Sequence, residues 1–285
     1  MSIVYLNGSY MPLEEAKISP MDRGFLFGDG IYEVIPSYDG NLVGFGPHID
    51  RMVEGLALIG IDFDFSADQW RAVCETLAAK NEGDNLGVYL HVSRGADTKR
   101  FHAYPDNIDA TVFAFVFEIP PAPVADKAKV KGYKVATTED LRWKRCNIKS
   151  TALLGNVMHF QQGHSEGNNE TILYNSDNEM TEGSACNAYI VKDGVVITPP
   201  LDHQILPGIT RLMLLDILRK DGSIKVEERP VTMDEVRGAD EVWLTSSSKE
   251  IAPVVEIDGR PVGQGGVGDV WVKAQTLYSA AKSNY

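Results

Sequence analysis

Four dipeptides, Asn7-Gly8, Asp39-Gly40, Asp193-Gly194 and Asp258-Gly259, each stand between short apolar or alternating stretches. The two central residues of a type I′ hairpin both need positive φ, which Asn, Asp and Gly adopt at least cost. The pattern is clearest where Tyr189-Ile190-Val191-Lys192 precedes Asp193 and Val195-Val196-Ile197-Thr198 follows Gly194. Further strands are predicted over Leu86 to Val92, by alternation, and over the nearly continuous apolar run Thr111 to Phe117. Any fold for this chain must therefore carry sheet in both halves.

Between those halves lies Ile119-Pro120-Pro121-Ala122-Pro123-Val124, whose prolines cannot continue a ladder and favour an extended linker. We read residues 1-119 as a small N-terminal α/β domain, 120-126 as a linker and 127-285 as a larger C-terminal domain. At 44% hydrophobic content over 285 residues, the chain has enough apolar surface for sizeable cores. Helices are predicted at His48 to Ile59, with Ile49, Met52, Val53, Leu56 and Ile59 on one face, and after Ser66, where Ser66 and Gln69 form a capping box. Others are expected over Thr151 to Ser165, Thr210 to Lys220 and Asp269 to Ala281. The fold class is mixed α/β.

The 27 Lys+Arg against 40 Asp+Glu, a formal charge of -13, argue against nucleic acid and anionic membrane surfaces as partners. Charges, Gly or Pro break every apolar run before the roughly 18 residues a membrane span needs, and Met1 to Gly8 does not read as a secretion signal. Cys74, Cys146 and Cys186 form no Cys-x-x-Cys pair, which fits a reducing cytoplasm better than a disulfide framework. The six histidines lack ligand spacing, His159 and His164 being split around a helix, so no metal is expected.

Three separated segments carry chemistry. Lys149 follows Arg142, Lys144 and Arg145, and nearby positive charge or burial lowers an amine pKa toward the range a nucleophile needs, although an isolated lysine is ordinarily a solvated one. Glu182, in Thr181-Glu182-Gly183-Ser184, is a carboxylate able to pair with a pyridinium nitrogen, or else simply part of a turn. Gly208-Ile209-Thr210 precedes an apolar-rich helix, where backbone N–H groups and the Thr210 hydroxyl favour an anion; Ser246 and Ser247, after the strand-like Glu241 to Thr245, add hydroxyl donors. An amine, a carboxylate and an anion cradle together are what pyridoxal 5'-phosphate (PLP) requires. Cys146 offers a redox switch or a merely tolerated thiol, and Arg142 has no firm role.

In Asp22 to Glu33, His48 to Arg51, Asn147-Ile148-Lys149, Thr181 to Ser184, Gly208 to Arg211 and Thr245 to Ser247, the chain resembles the fold type IV PLP aminotransferases, most closely the D-amino acid aminotransferases. These motifs occur in the family's order, almost end to end. The resemblance implies Lys149 as the Schiff-base lysine, Glu182 as partner of the pyridine nitrogen, and Arg51, Ile209, Thr210 and Ser247 as the phosphate site, with Ser246 beside them. It implies that Tyr32, Arg100 and His102 hold the substrate α-carboxylate, with Arg and His reaching the partner's site in a homodimer. The stretch Arg94 to Arg100 is one residue longer than the family's, which leaves Lys99 or Arg100 for the trap position. The expected reaction is a ping-pong transfer of the amino group from a D-amino acid to a 2-oxo acid. Alternatives on the same fold are a branched-chain L-amino acid aminotransferase, an (R)-amine transaminase, an aminodeoxychorismate lyase, or a non-catalytic binding protein.

Overall fold

The computed structural model describes residues 2–285. They form two compact units: one runs to Pro121 and takes in Ile148–Leu153 and Tyr285, and the other comprises Ala122–Asn147 and Leu154–Asn284. The segment carrying Lys149 thus packs with the first unit, although it follows the proline run in sequence.

The first unit contains β1 (Ile3–Leu6), β2 (Ser9–Pro12), α1 (Arg23–Phe27), β3 (Gly30–Tyr38), β4 (Asn41–Leu42), α2 (Phe45–Leu58), α3 (Ala67–Lys80), β5 (Asn85–Ser93) and β6 (Thr111–Glu118). Its sheet runs β2-β1-β6-β5-β3-β4, all antiparallel. Alternation puts Ile31, Ile35, Val88, Leu90, Val92, Val112 and Ala114 on one face, where they bury against Ile49, Met52 and Leu56 of α2 and Trp70, Val73 and Leu77 of α3. The other face carries Tyr32, Tyr89 and Phe115, with Tyr89 lying 5.6 Å from Tyr32 and 4.9 Å from Phe115 between ring centroids. Helix α2 begins three residues before the expected His48, and Pro47 falls in its first turn, where no intrahelical N–H is needed. The expected capping box starts α3: the Gln69 N–H donates to Ser66 Oγ at 3.2 Å and the Ser66 N–H to Gln69 Oε1 at 2.8 Å.

The second unit contains β7 (Tyr133–Glu139), α4 (Leu154–Ser165), β8 (Glu170–Tyr174), β9 (Met180–Gly183), β10 (Asn187–Lys192), β11 (Val195–Thr198), α5 (Ile209–Asp221), β12 (Val226–Glu228), α6 (Met233–Arg237), β13 (Glu241–Ser246), β14 (Glu250–Ile257), β15 (Arg260–Pro261) and α7 (Asp269–Ala281). Its mixed sheet runs β12-β11-β10-β13-β14-β7-β8-β9, with β15 beside β14. The pairs β11/β12, β14/β7 and β7/β8 are parallel. Ala188, Ile190, Ile197, Val242, Leu244 and Val254 bury together with Val231, Met233 and Val236. The Glu241 carboxylate accepts from the N–H groups of Val270 and Trp271 at 2.9 Å, which fixes the positive start of α7.

All four Asx-Gly pairs are hairpin turns, closing Leu6 on Ser9, Tyr38 on Asn41, Lys192 on Val195 and Ile257 on Arg260. Their Asx residues have φ of 45–50° and their glycines 73–91°. The helix expected from Thr151 starts at Leu154 instead, because the preceding backbone is engaged elsewhere: the Tyr32 N–H donates to the Lys149 carbonyl at 3.1 Å and the Thr151 N–H to that of Gly30 at 3.0 Å. The short elements α1, β7, β8, β9 and α6 were not predicted from periodicity. Among the described residues, no helix is long and apolar enough to cross a membrane.

Candidate active site

Lys149 is half-buried in the first unit, and its Nζ lies 4.2 Å from the ring centroid of Tyr32. The backbone bonds to β3 hold this segment in place, and Gly28 lets it approach closely. Gly28 sits in the left-handed region at φ 66°, and a Cβ there would come within 2.8 Å of Ala152 Cα. The sequence reading placed Tyr32 with the substrate; the structure also brings it to Lys149.

Next along β3, Glu33 faces the opposite way, toward α2, and is fully buried. The Arg51 guanidinium donates to both its oxygens at 2.7 Å, from Nε and Nη2, and His48 Nδ1 lies 2.7 Å from Oε2. Burial pushes the Glu33 carboxyl up, but Arg51 and His48 outweigh it and bring it down to about 2. Burial drives His48 the other way, toward its neutral form, and this outweighs the attraction of Glu33. A neutral imidazole beside an ionised carboxylate carries its proton on Nδ1 and donates it. Arg51 is therefore braced by a buried carboxylate, in an arrangement suited to presenting a guanidinium to an anion. Glu33 and His48 were missed as functional positions. The available signal was a lone acid inside the apolar strand Ile31 to Ile35.

Arg100 and His102 lie exposed on the connection between β5 and β6. Both pack on Phe27 of α1: the Arg100 guanidinium carbon lies 5.1 Å from the ring centroid, and the His102 ring 5.4 Å. Lys99, the alternative trap residue, instead lies over Phe101 at 5.4 Å.

In the second unit, Glu182 is the penultimate residue of β9 and is buried. Its Oε1 accepts from Arg142 Nη1 at 2.7 Å, and its Oε2 from Asn187 Nδ2 at 3.1 Å and the Leu206 N–H at 3.0 Å. Arg142 is in turn held by Asp140 in a forked pair, Nε to Oδ1 at 2.9 Å and Nη2 to Oδ2 at 2.7 Å. Burial pushes the Glu182 carboxyl up to about 7, with Arg142 and the Leu206 N–H opposing that rise. A carboxyl so poised is drawn into its ionised form by any cationic donor placed against it. Asp140 and Asn187 escaped the sequence reading, which also left Arg142 without a role.

Asn187 links this carboxylate to the other candidates. It pairs with Thr245 across β10 and β13, donates to the Leu206 carbonyl at 2.8 Å, and packs so tightly on Gly208 that a Cβ there would lie 2.0 Å from its Oδ1. Gly208 caps α5 without a side-chain acceptor, so the N–H groups at Ile209 and Thr210 begin the helix with its dipole unneutralised by a cap. Ile209 and Thr210 are buried. Ser246 Oγ, at the end of β13, is buried without a hydrogen-bond partner; Ser247 follows it in the turn to β14. An orphaned hydroxyl and an uncapped helix start are the features a phosphate would satisfy.

The three thiols are all buried. Burial pushes Cys146 up to about 11, so the redox option loses its thiolate. His159 Nε2 accepts from the Leu141 N–H at 3.2 Å.

Residues 30–257 match the model of the amino-transferase class IV family. A D-alanine aminotransferase of Listeria monocytogenes serotype 4b (strain F2365) is 38% identical over 277 residues, covering 96% of this chain and 94% of its own length. One from Bacillus licheniformis is 38% identical over 273 residues, again covering 96% and 94%. Among solved structures, an Escherichia coli branched-chain amino acid aminotransferase superposes with a TM-score of 0.90 at 24% identity, covering 99% of this chain and 95% of its own. One from Thermoproteus uzoniensis superposes with a TM-score of 0.82 at 26% identity, covering 99% and 95%. With the family model spanning most of the sequence and full-length relatives well above 30% identity, this chain belongs to the class IV aminotransferases.

Proposed function

We propose that this chain is a PLP-dependent transaminase that moves the amino group of a D-amino acid to a 2-oxo acid in two half-reactions. The observation that carries the reading is the end-to-end identity of 36–38% to D-alanine aminotransferases of several bacteria. The branched-chain enzymes superpose well, but at 20–26% identity their likeness concerns the fold.

PLP, when bound, supplies an electron sink for charge developing at the substrate Cα. Lys149 supplies the amine that anchors it and then moves a proton at that carbon. Glu182, steadied by Arg142, Asn187 and the Leu206 N–H, would pair with the ring nitrogen of the bound cofactor and favour its protonated form. Arg51, the N–H groups at Ile209 and Thr210, the Thr210 hydroxyl, Ser246 and Ser247 would hold the phosphate; the orphaned Ser246 Oγ supports this assignment. Tyr32, Arg100 and His102 receive the substrate carboxylate, and the shared Phe27 platform favours Arg100 over Lys99. Two copies pair as a homodimer with shared sites, and the enzyme works in the cytoplasm.

The test is reduction of the PLP-loaded protein with borohydride and peptide mapping, alongside pyruvate formation from D-alanine and 2-oxoglutarate. The reading predicts a stable adduct on Lys149 and pyruvate from the D-isomer. An adduct on another lysine, or no turnover with any D-amino acid, would refute it.

A further inference from the structure

The connection between β5 and β6, residues 94–110, contains no helix and no strand, and a loop of that length is ordinarily mobile. Here its central turn is tied down from beneath by one buried side chain. Arg23, the first residue of α1, is 3% exposed. Its Nη1 donates to the carbonyls of Phe101 at 2.6 Å and Ala103 at 3.3 Å, and its Nη2 to that of His102 at 3.2 Å. Three successive carbonyls converging on one guanidinium pin the local backbone, since each would otherwise lose a charge-assisted bond.

The cation is itself fixed. Arg23 Nε donates to Asp29 Oδ2 at 2.8 Å, and Arg94 grips the same carboxylate from Nε at 2.8 Å and Nη2 at 3.0 Å. Arg94 also donates to the Ile59 and Gly60 carbonyls at 2.6 and 2.8 Å and covers the Tyr104 ring at 3.5 Å. Burial pushes the Asp29 carboxyl up, but its bonds to Arg94 and Arg23 outweigh this and hold it below the usual carboxylate range. One turn along α1 from Arg23, Phe27 provides the ring on which Arg100 and His102 both rest. Asp22 fixes the helix itself: it accepts from the Gly24 N–H and Ser93 Oγ at 2.8 Å and from Thr111 Oγ1 at 2.6 Å, thereby anchoring α1 to the ends of both flanking strands.

We propose that α1 sets substrate recognition: Arg23 fixes the backbone and Phe27 the side chains of Arg100 and His102, so that the guanidinium and the imidazole meet a substrate α-carboxylate already in place. Arg23 and Phe27 are positioning residues and touch no substrate. The inference rests on the reading that Arg100 and His102 receive the carboxylate. Pre-organisation removes the ordering cost from binding, so its loss falls on KM more than on kcat. Lysine at position 23 keeps the charge opposite Asp29 but cannot fork to three carbonyls.

The experiment compares the PLP-loaded wild type with Arg23→Lys, Phe27→Leu and Arg100→Ala. It measures kcat and KM for D-alanine, PLP content, and hydrogen–deuterium exchange of the peptide covering residues 98–104. Arg23→Lys and Phe27→Leu are expected to raise KM about tenfold with kcat within about twofold and PLP content unchanged. Arg23→Lys is expected to speed exchange at 98–104 by about tenfold as well. Unchanged KM in both α1 variants, with KM raised in Arg100→Ala, would overturn the role of α1 while leaving the trap intact. Unchanged KM in all three would overturn the trap and this inference together. A parallel fall of kcat and PLP content in the α1 variants would also overturn it, since that marks damage to the fold rather than loss of positioning.

Discussion

Replacing Glu33 with Gln tests the bracing of Arg51 most severely, because it removes one charge and almost no volume. Glu33 is 0% exposed and Arg51 holds both its oxygens. The fall of the carboxyl from 4.5 to about 2 corresponds to about 3 kcal/mol of stability at neutral pH. Breaking a buried pair by removing one partner costs about 3–5 kcal/mol, so the two routes agree. His48 adds less than an ion pair would, because burial keeps it neutral. The pH dependence follows from the depressed folded value. Glu33's contribution is complete above its unfolded pKa near 4.5 and disappears as pH falls toward about 2. Urea unfolding of wild type and Glu33→Gln should therefore differ by about 3 kcal/mol at pH 7, with the gap narrowing below pH 4.5. A gap under about 1 kcal/mol at pH 7, or one that widens in acid, would show that Glu33 does not brace Arg51 as an ionised carboxylate. PLP retention should fall in the variant as well, because Arg51 loses the carboxylate that orients it.

Three further outcomes follow from the same geometry. Arg142→Met removes the charge that opposes burial at Glu182, so that carboxyl rises above about 7; equilibrium dialysis should show weaker PLP binding by about tenfold or more. Because the folded pKa is then raised further, the stability deficit of the variant should grow as pH rises through 7, and a deficit that shrinks would contradict the assignment. Gly28→Ala strains a position at φ 66° and drives a Cβ toward Ala152, so thermal unfolding should show a loss of at least about 1 kcal/mol. Burial pushes Cys74 up to about 12, Cys146 to about 11 and Cys186 well above its ordinary value, so a disulfide reagent at pH 7.5 should label almost nothing until the protein is unfolded.

What could be read in the sequence was what local chemistry determines. Asn7-Gly8 and its three counterparts fix turn type and register within four residues, and Ser66 with Gln69 closes a capping box within one helical turn. Strand Leu86 to Val92 was visible because its residues alternate between a buried face and a less buried one, and Thr111 to Phe117 because its run is almost continuously apolar. The bracing around the site was not legible, because each brace joins distant parts of the chain. Glu33 meets Arg51 eighteen positions on, Arg142 meets Glu182 forty on, and Arg23 meets Phe101 seventy-eight on. No periodicity encodes such pairings. The helix expected from Thr151 was late for the same reason: a bond from Tyr32 to the Lys149 carbonyl overrides a helical pattern. Lys149, Glu182 and the start of α5 were proposed from motifs; Glu33 ends one of those motifs but drew no role from it, and Asp140 and Asn187 belong to none of them.

Which hand of substrate donates the amino group separates a D-amino acid aminotransferase from a branched-chain L-amino acid aminotransferase on the same fold. The most direct measurement is the amino-donating half-reaction of the PLP-loaded enzyme, followed by the loss of the cofactor's visible absorption, with D-alanine, D-glutamate, L-leucine and an (R)-amine offered singly. Rapid loss is expected with the D-amino acids, and values of kcat/KM at least about a hundredfold below theirs for L-leucine and the amine, which place no carboxylate in the D configuration against Arg100 and His102. A response to L-leucine with none to any D-amino acid would contradict it.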